Sequence, residues 1–273
     1  MQYKLKTLPI IYPITLDEAK AQLNAIGSTY DDALIGSLIA ASCNLTEAYA
    51  WRPLVEQTWE LYLDSAEVTD TIYLNKTPLK SVASVKYYNA DNTLTTLDTS
   101  LYSVDLVSDT CRIKFESTPS VYDGMNKMVI EFTCGFLQFS TAVVADSVSH
   151  AADTITKSAH DLYTGQPLII TAVQNLTNVS ANKLYYVSVV DANTFQLTNE
   201  PYGTHINFSG ADVPAITYKS ASAIPDQVKS AIMLILGHLY KHREDVTVGA
   251  SGAQLPMGSQ YLLDFYKQKN YYI

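Results

Sequence analysis

The hydrophobic pattern of this chain changes period twice. It is helical near both ends and strand-like in between, and that alternation confines the fold to an α+β arrangement. Thr15-Leu-Asp-Glu18 fits a capping box, in which Thr15 accepts from an exposed amide and Glu18 reaches back. Leu16, Ala19, Leu23 and Ile26 follow at helical spacing and Gly27 is a natural stop, so the pattern predicts a helix over 15–26. A second helix, 31–50, opens at Asp31-Asp32, whose charges suit the positive end of the helix dipole. Its expected buried stripe is Leu34, Ile35, Leu38, Ile39, Ala41, Leu45 and Ala48, and Pro53 forbids continuation. The short link implies that the two helices form an antiparallel pair. Pro225 opens a third helix, 225–242, with Val228, Ala231, Ile232, Ile235, Leu236 and Leu239 inward. After a Gly/Ser-rich loop at 245–255, a fourth is expected over 259–269.

Between 54 and 135 the period is two. Val55, Gln57, Trp59, Leu61 and Leu63 alternate with Glu56, Thr58, Glu60 and Tyr62, the mark of a sheet with one wet face. Further strands are expected at 71–74, 81–88, 93–97, 101–106, 111–115 and 127–134. Asn89-Ala-Asp-Asn92 supplies the turn of a hairpin. From 141 to 222 the chain is rich in Thr, Ser, Asn, Val and Ala, with short β-prone pieces at 154–157, 167–173, 184–190, 194–198 and 216–219. This stretch reads as an inserted all-β module, spliced into a discontinuous body made of 1–140 plus 223–273.

Composition narrows the role. At 47% apolar residues the chain is no disordered segment, and 18 Lys+Arg against 27 Asp+Glu, net −9, disfavours a phosphate-gripping protein. Cys43, Cys111 and Cys134 form no CxxC pair and suit a reducing compartment. The opening residues, broken by Pro9 and Pro13, do not read as an export signal, and the longest apolar run, 231–236, is far too short to span a bilayer. Twenty tyrosines against seven phenylalanines favour half-wet contact surfaces, as in an assembling protein.

No catalytic pattern stands out. His238 and His242 have metal-holding spacing on a helix, but the glutamate of HExxH is absent and Glu244 lies too near, so the pair reads as the border of a helix interface. No Gly-x-Ser-x-Gly, GxGxxG or P-loop occurs, and Gly249-Ala-Ser-Gly252 sits in a loop. Asp31-Asp32 and Glu244-Asp245 lie at helix ends. His150, His160 and His205 read as surface or turn residues. Lys241 and Arg243 suit a helix C-terminus. The sequons at Asn175, Asn178 and Asn207 are read as chance matches. No enzyme, metal or cofactor is expected.

Several stretches together resemble the head–tail connector (adaptor) proteins of long-tailed bacteriophages and related gene-transfer particles. They are Pro13-Ile-Thr-Leu-Asp-Glu-Ala-Lys20, Asp31-Asp-Ala-Leu-Ile-Gly-Ser-Leu-Ile-Ala-Ala41, Glu47-Ala-Tyr49 and Trp51-Arg-Pro-Leu-Val-Glu-Gln-Thr-Trp59. Pro78-Leu-Lys-Ser-Val-Ala-Ser-Val85 resembles the family's strand entry and Phe132-Thr-Cys-Gly-Phe136 its strand exit. Ile224-Pro-Asp-Gln-Val-Lys-Ser-Ala-Ile232 runs on through Leu236-Gly-His-Leu-Tyr-Lys-His-Arg-Glu244. The departure is 141–222, whose segments 160–167 and 185–197 resemble small β repeats of virion proteins.

The resemblance implies a virion protein, assembled in the host cytoplasm, with a helical connector core. It would form a homo-oligomeric ring, commonly a dodecamer, at the neck between portal protein and tail or further neck proteins. DNA would pass through the lumen without specific binding, and no membrane is involved. The C-terminal segment of relatives reaches toward the portal, which makes Phe265, Tyr266, Tyr271, Tyr272 and Ile273 the portal-contact candidates. An alternative is a β-rich binding or decoration module, contacting glycan or fibre, carried on a helical scaffold.

Overall fold

The computed structural model describes residues 1–210, 215–242 and 257–268; the loop 245–255, Arg243 and Glu244, and Tyr271, Tyr272 and Ile273 lie outside the described residues. The chain is α+β, with four helices and three antiparallel sheets among the described residues, and it gathers into two compact units. The first holds Met1–Pro9, Ala50–Gln138, and Lys267 with Gln268. The second holds Ile10–Tyr49 and the described residues of Phe139–Tyr266.

The first unit contains β1 (Gln2–Thr7), β2 (Gln57–Leu63), β3 (Thr71–Tyr73), β4 (Leu79–Tyr88), β5 (Leu94–Thr96), β6 (Tyr102–Asp105), β7 (Arg112–Phe115) and β8 (Met128–Cys134). A five-stranded sheet runs β1-β2-β8-β4-β5, and a smaller one runs β3-β7-β6. The expected alternation is plain in β8, where Met128, Ile130, Phe132 and Cys134 are fully buried while Val129, Glu131 and Thr133 are only partly so. Their partners follow in register, Leu61 beside Ile130 and Leu63 beside Met128. The hairpin at Asn89–Asn92 forms as read: the Asn89 side chain accepts from the amides of Asp91 and Thr93, both at 3.0 Å, and Asn92 takes φ 56°. β1 was missing from the sequence reading. Tyr3 and Leu5 alternate with Lys4 and Lys6, a period-two signal that a short edge strand makes easy to overlook.

The Cys-Gly-Phe exit of β8 has a steric explanation. Gly135 has φ +143°, and a Cβ there would stand 2.5 Å from the carbonyl oxygen of Val55. Only glycine lets the two backbones pass this closely, which allows Val55 to bridge to Leu137.

The second unit contains α1 (Leu16–Gln22), α2 (Asp32–Ala50), β9 (Val143–Val144), β10 (Ser147–Ser149), β11 (Thr154–Thr156), β12 (Pro167–Gln174), β13 (Leu184–Val189), β14 (Thr194–Thr198), β15 (Ala215–Ser220), α3 (Asp226–Lys241) and α4 (Met257–Asp264). Its strands form one sheet in the order β10-β11-β14-β13-β12-β15-β9, over a core that includes Ile155, Leu168, Tyr185, Val187, Phe195, Leu197 and Tyr218. None of its helices, nor any other described helix, is long and apolar enough to cross a membrane.

The helices correct the sequence reading in four places. First, α1 stops at Gln22, not Ile26. Asn24 takes φ 55°, the Asn24 amide bonds to the Ala21 carbonyl and the Ala25 amide to that of Lys20, a Schellman closure one turn before Gly27. Second, α4 ends at Asp264, short of residue 269, and the chain beyond it is held where the Gln268 amide donates to the Ala50 carbonyl at 2.8 Å. Third, α2 is turned relative to its expected stripe. Ile35, Ile39, Ser42, Cys43, Thr46 and Ala50 are buried, whereas Leu45 and Ala48 face solvent. The hydroxyls of Ser42 and Thr46 turn back to the carbonyls of Leu38 and Ser42, so these polar residues bury without an unpaired group. Nor does α1 run alongside α2 as an antiparallel pair; its backbone approaches α3.

Hydrogen bonds fix the directions of the other three helices. Tyr240 of α3 donates to Asp31 just before α2, Tyr49 near the end of α2 donates to Asp264 at the end of α4, and Tyr266 just beyond α4 donates to Gln227 of α3. So α2 and α4 run parallel, and both run antiparallel to α3. In α3 the buried side is Val228, Ala231, Ile232, Ile235 and Leu236, as its spacing predicts.

Candidate functional site

Of the portal-contact candidates, the structure describes two. Phe265 is 72% exposed, its ring edge-on to Tyr261 at 5.5 Å, and Tyr261 is itself 67% exposed. Tyr266 is half-buried and held by Gln227 at 2.9 Å. The two residues therefore differ: Phe265 is presented outward, while Tyr266 anchors the end of α4.

The histidines sort by their surroundings. The His238 and His242 rings stand 4.7 Å apart, yet among the described residues no group of three or more His, Cys, Asp or Glu could hold a metal ion. His160 closes a turn: its Nδ1 accepts from the Leu162 amide, its Nε2 faces the Asp191 carbonyl at 3.0 Å, and its ring meets Phe195 edge-on. His205 faces Asp153 at 3.7 Å.

Clefts on the described surface include one in each unit. One, of about 250 Å³ in the second unit, is lined by Asp17, Lys20, Ile26, Gly27, Asn199, Glu200 and Thr204. There the ammonium of Lys20 is already engaged by Asp32 at 2.8 Å. The other, of about 470 Å³ in the first unit, is lined by Asp70, Thr71, Ser103, Val104, Asp105, Arg112 and Lys114. The Asp105 carboxyl is held down at about 2, chiefly by the Ser108 hydroxyl and amide, then the Val107 amide, with Arg112 near. That anion closes its own loop. Neither lining contains a histidine or cysteine to act as base or nucleophile.

The most concentrated polar chemistry of the second unit escaped the sequence reading. Glu18, 7% exposed, completes the predicted capping box by accepting from the Thr15 amide at 2.8 Å. The same carboxylate accepts from the Tyr186 hydroxyl of β13 at 3.0 Å and pairs with the Lys229 ammonium of α3. Lys229 also donates to the Tyr186 hydroxyl at 3.0 Å and sits 4.9 Å over its ring. Burial first, and Glu18 second, push the Tyr186 phenol well above its ordinary range, so it stays a donor. The Thr15 hydroxyl reaches the Asn199 carbonyl at 2.7 Å. With these partners in place the cluster is a clasp joining α1, α3 and the sheet, with no group poised for proton transfer to a substrate. The capping box was the only part of it visible along the chain.

The chain matches no known family and no curated protein. It does match solved structures. A chain in the neck of an empty GTA particle computed with C6 symmetry superposes with TM-score 0.57 at 14% identity, covering 99% of this chain and 97% of that one. A chain in the virion of a native gene transfer agent (GTA) particle gives 0.56, and one in the neck of a native GTA particle computed with C12 symmetry gives 0.54, both at 14% identity and the same coverage. At this identity the likeness is one of fold, which by itself does not carry function. It extends over the whole chain, 141–222 included, and the conclusion is that this protein has the fold of chains found in gene-transfer-agent particles.

Proposed function

We propose that the protein is a structural component of a bacteriophage-type virion neck, a homo-oligomeric ring between portal and tail. The ring, a dodecamer in this reading, gives DNA a channel and the tail a platform. The observation that carries it is the full-length likeness in fold to neck chains of particles solved with C6 and C12 symmetry. The net charge of −9 agrees with a channel wall that lets DNA slide past without gripping it. The proposal keeps 1–140 plus 223–273 as a connector core and 141–222 as a module spliced into it, fixed to α1 and α3 by the Glu18–Tyr186–Lys229 clasp. It also keeps the segment from Phe265, with Tyr266, Tyr271, Tyr272 and Ile273, as the portal contact; the outward aromatic ring of Phe265 supports this.

The test is native mass spectrometry and electron microscopy of the purified chain, alone and with its portal protein. Rings on or off the portal are expected, and truncation before Phe265 is expected to abolish docking. A chain that stays solitary in both settings refutes the ring, and a truncated chain that docks as well as the full one refutes the tail assignment.

A further inference from the structure

We infer that the outward face of α2 is the seat of a second copy of the chain, whose α3–α4 ridge packs into it. This rests on the ring reading and names the surface that would close it. From Ala33 to Thr46 α2 carries no charged residue. Yet Ala33, Gly36, Ser37, Asn44 and Ala48 face solvent along one side, with Leu45 on its flank 38% exposed. A helix facing only water carries charge on such a face, whereas one apolar all round is a buried helix.

Gly36 sharpens the point. A glycine inside a helix is unfavourable relative to alanine, and a Cβ at Gly36 would meet nothing within 4 Å. No described residue calls for a missing side chain there. The close approach of another helix does, because side chains on one helix fill the grooves of its partner.

The same unit displays the complement. Leu234 on α3 is 42% exposed, beside Gly258 on α4, and Tyr261 of α4 projects from the same side. The exposed α2 positions from Ala33 to Asn44 carry small side chains or, at Gly36, none, with Glu47 at the C-terminal end of the face, while the ridge carries large ones. Two copies meeting groove to groove would leave a void. Groove to ridge is a heterologous contact, with one donor and one acceptor face per copy, the type that builds a ring when the rotation between copies closes. The absence of cations along the groove argues against DNA as its occupant.

The test mixes two full-length single-cysteine variants, Gly36→Cys and Tyr261→Cys; the three native cysteines are buried, which keeps background low. On mild oxidation the mixture is expected to give at least tenfold more disulfide-linked dimer than either variant alone. Equal yields in all three samples overturn the pairing. In parallel, Gly36→Glu should weaken self-association at least tenfold in sedimentation while its circular dichroism melt matches wild type. If wild type associates and Gly36→Glu associates equally well, the α2 face is wrong and the ring survives. If wild type stays solitary at every concentration and on portal, both fall.

Discussion

Replacing Lys229 with methionine tests whether the buried clasp holds the helices to the sheet. The Glu18 side chain is 6% exposed and that of Lys229 22%. Removing the ammonium strands a carboxylate in a dry site, and breaking a buried pair in this way costs about 3–5 kcal/mol. Here Tyr186 and the Thr15 amide still donate to the carboxylate, and water reaches the lysine end. The lower limit therefore applies, about 3 kcal/mol. Glu18→Gln alone should cost about 1 kcal/mol, because glutamine can still complete the capping box. The double variant removes the stranded charge together with its partner, so it should cost no more than about 2 kcal/mol, a coupling of at least about 2 kcal/mol. With two compact units, global unfolding need not be two-state, so the assay is hydrogen exchange of α3 and β13 amides in graded urea. Additive costs within about 0.5 kcal/mol, or a Lys229→Met chain as stable as wild type, would refute the reasoning.

Three further outcomes are expected. Gly135→Ala, which sets a methyl 2.5 Å from the Val55 carbonyl oxygen at φ +143°, should destabilise the first unit by about 2–4 kcal/mol in urea titration, and an unchanged midpoint would show that the backbone yields. Tyr3, pushed up by burial from 10.0 to about 12, keeps its proton after the unfolded chain has lost it. Stability should thus be intact below pH 10 and decline between 10 and 12, a decline that Tyr3→Phe should flatten in pH-dependent melts. Asp105, held at about 2, contributes stability that is present above 3.8 and lost as pH falls toward 2. A carboxyl NMR titration should find its midpoint near 2, and a midpoint near 3.8 would deny the Ser108 and Val107 hydrogen bonds.

What could be read along the chain were interactions closed within a few residues. The capping box at Thr15, the Asn89 turn, the alternation of β8 and the inward side of α3 all formed as their spacing required. Misreadings arose where two local solutions competed or where a pattern was symmetric. Asn24 closed α1 before Gly27 could, since asparagine tolerates the left-handed conformation almost as well. The pattern of α2 could not choose an inward side, because a helix without charge between Ala33 and Thr46 has no polar face to point outward.

Glu18 and Tyr186 stand 168 positions apart, and Glu18 and Lys229 stand 211 apart. No periodicity spans such separations. In sequence each is an ordinary surface-type residue, and only the closing of α1, α3 and β13 around a common dry point makes them partners. The sequence determined which segments become helix or strand, because backbone preference and side-chain alternation are local. Tertiary structure decided which faces were covered and which charges met, because desolvation depends on every neighbour at once.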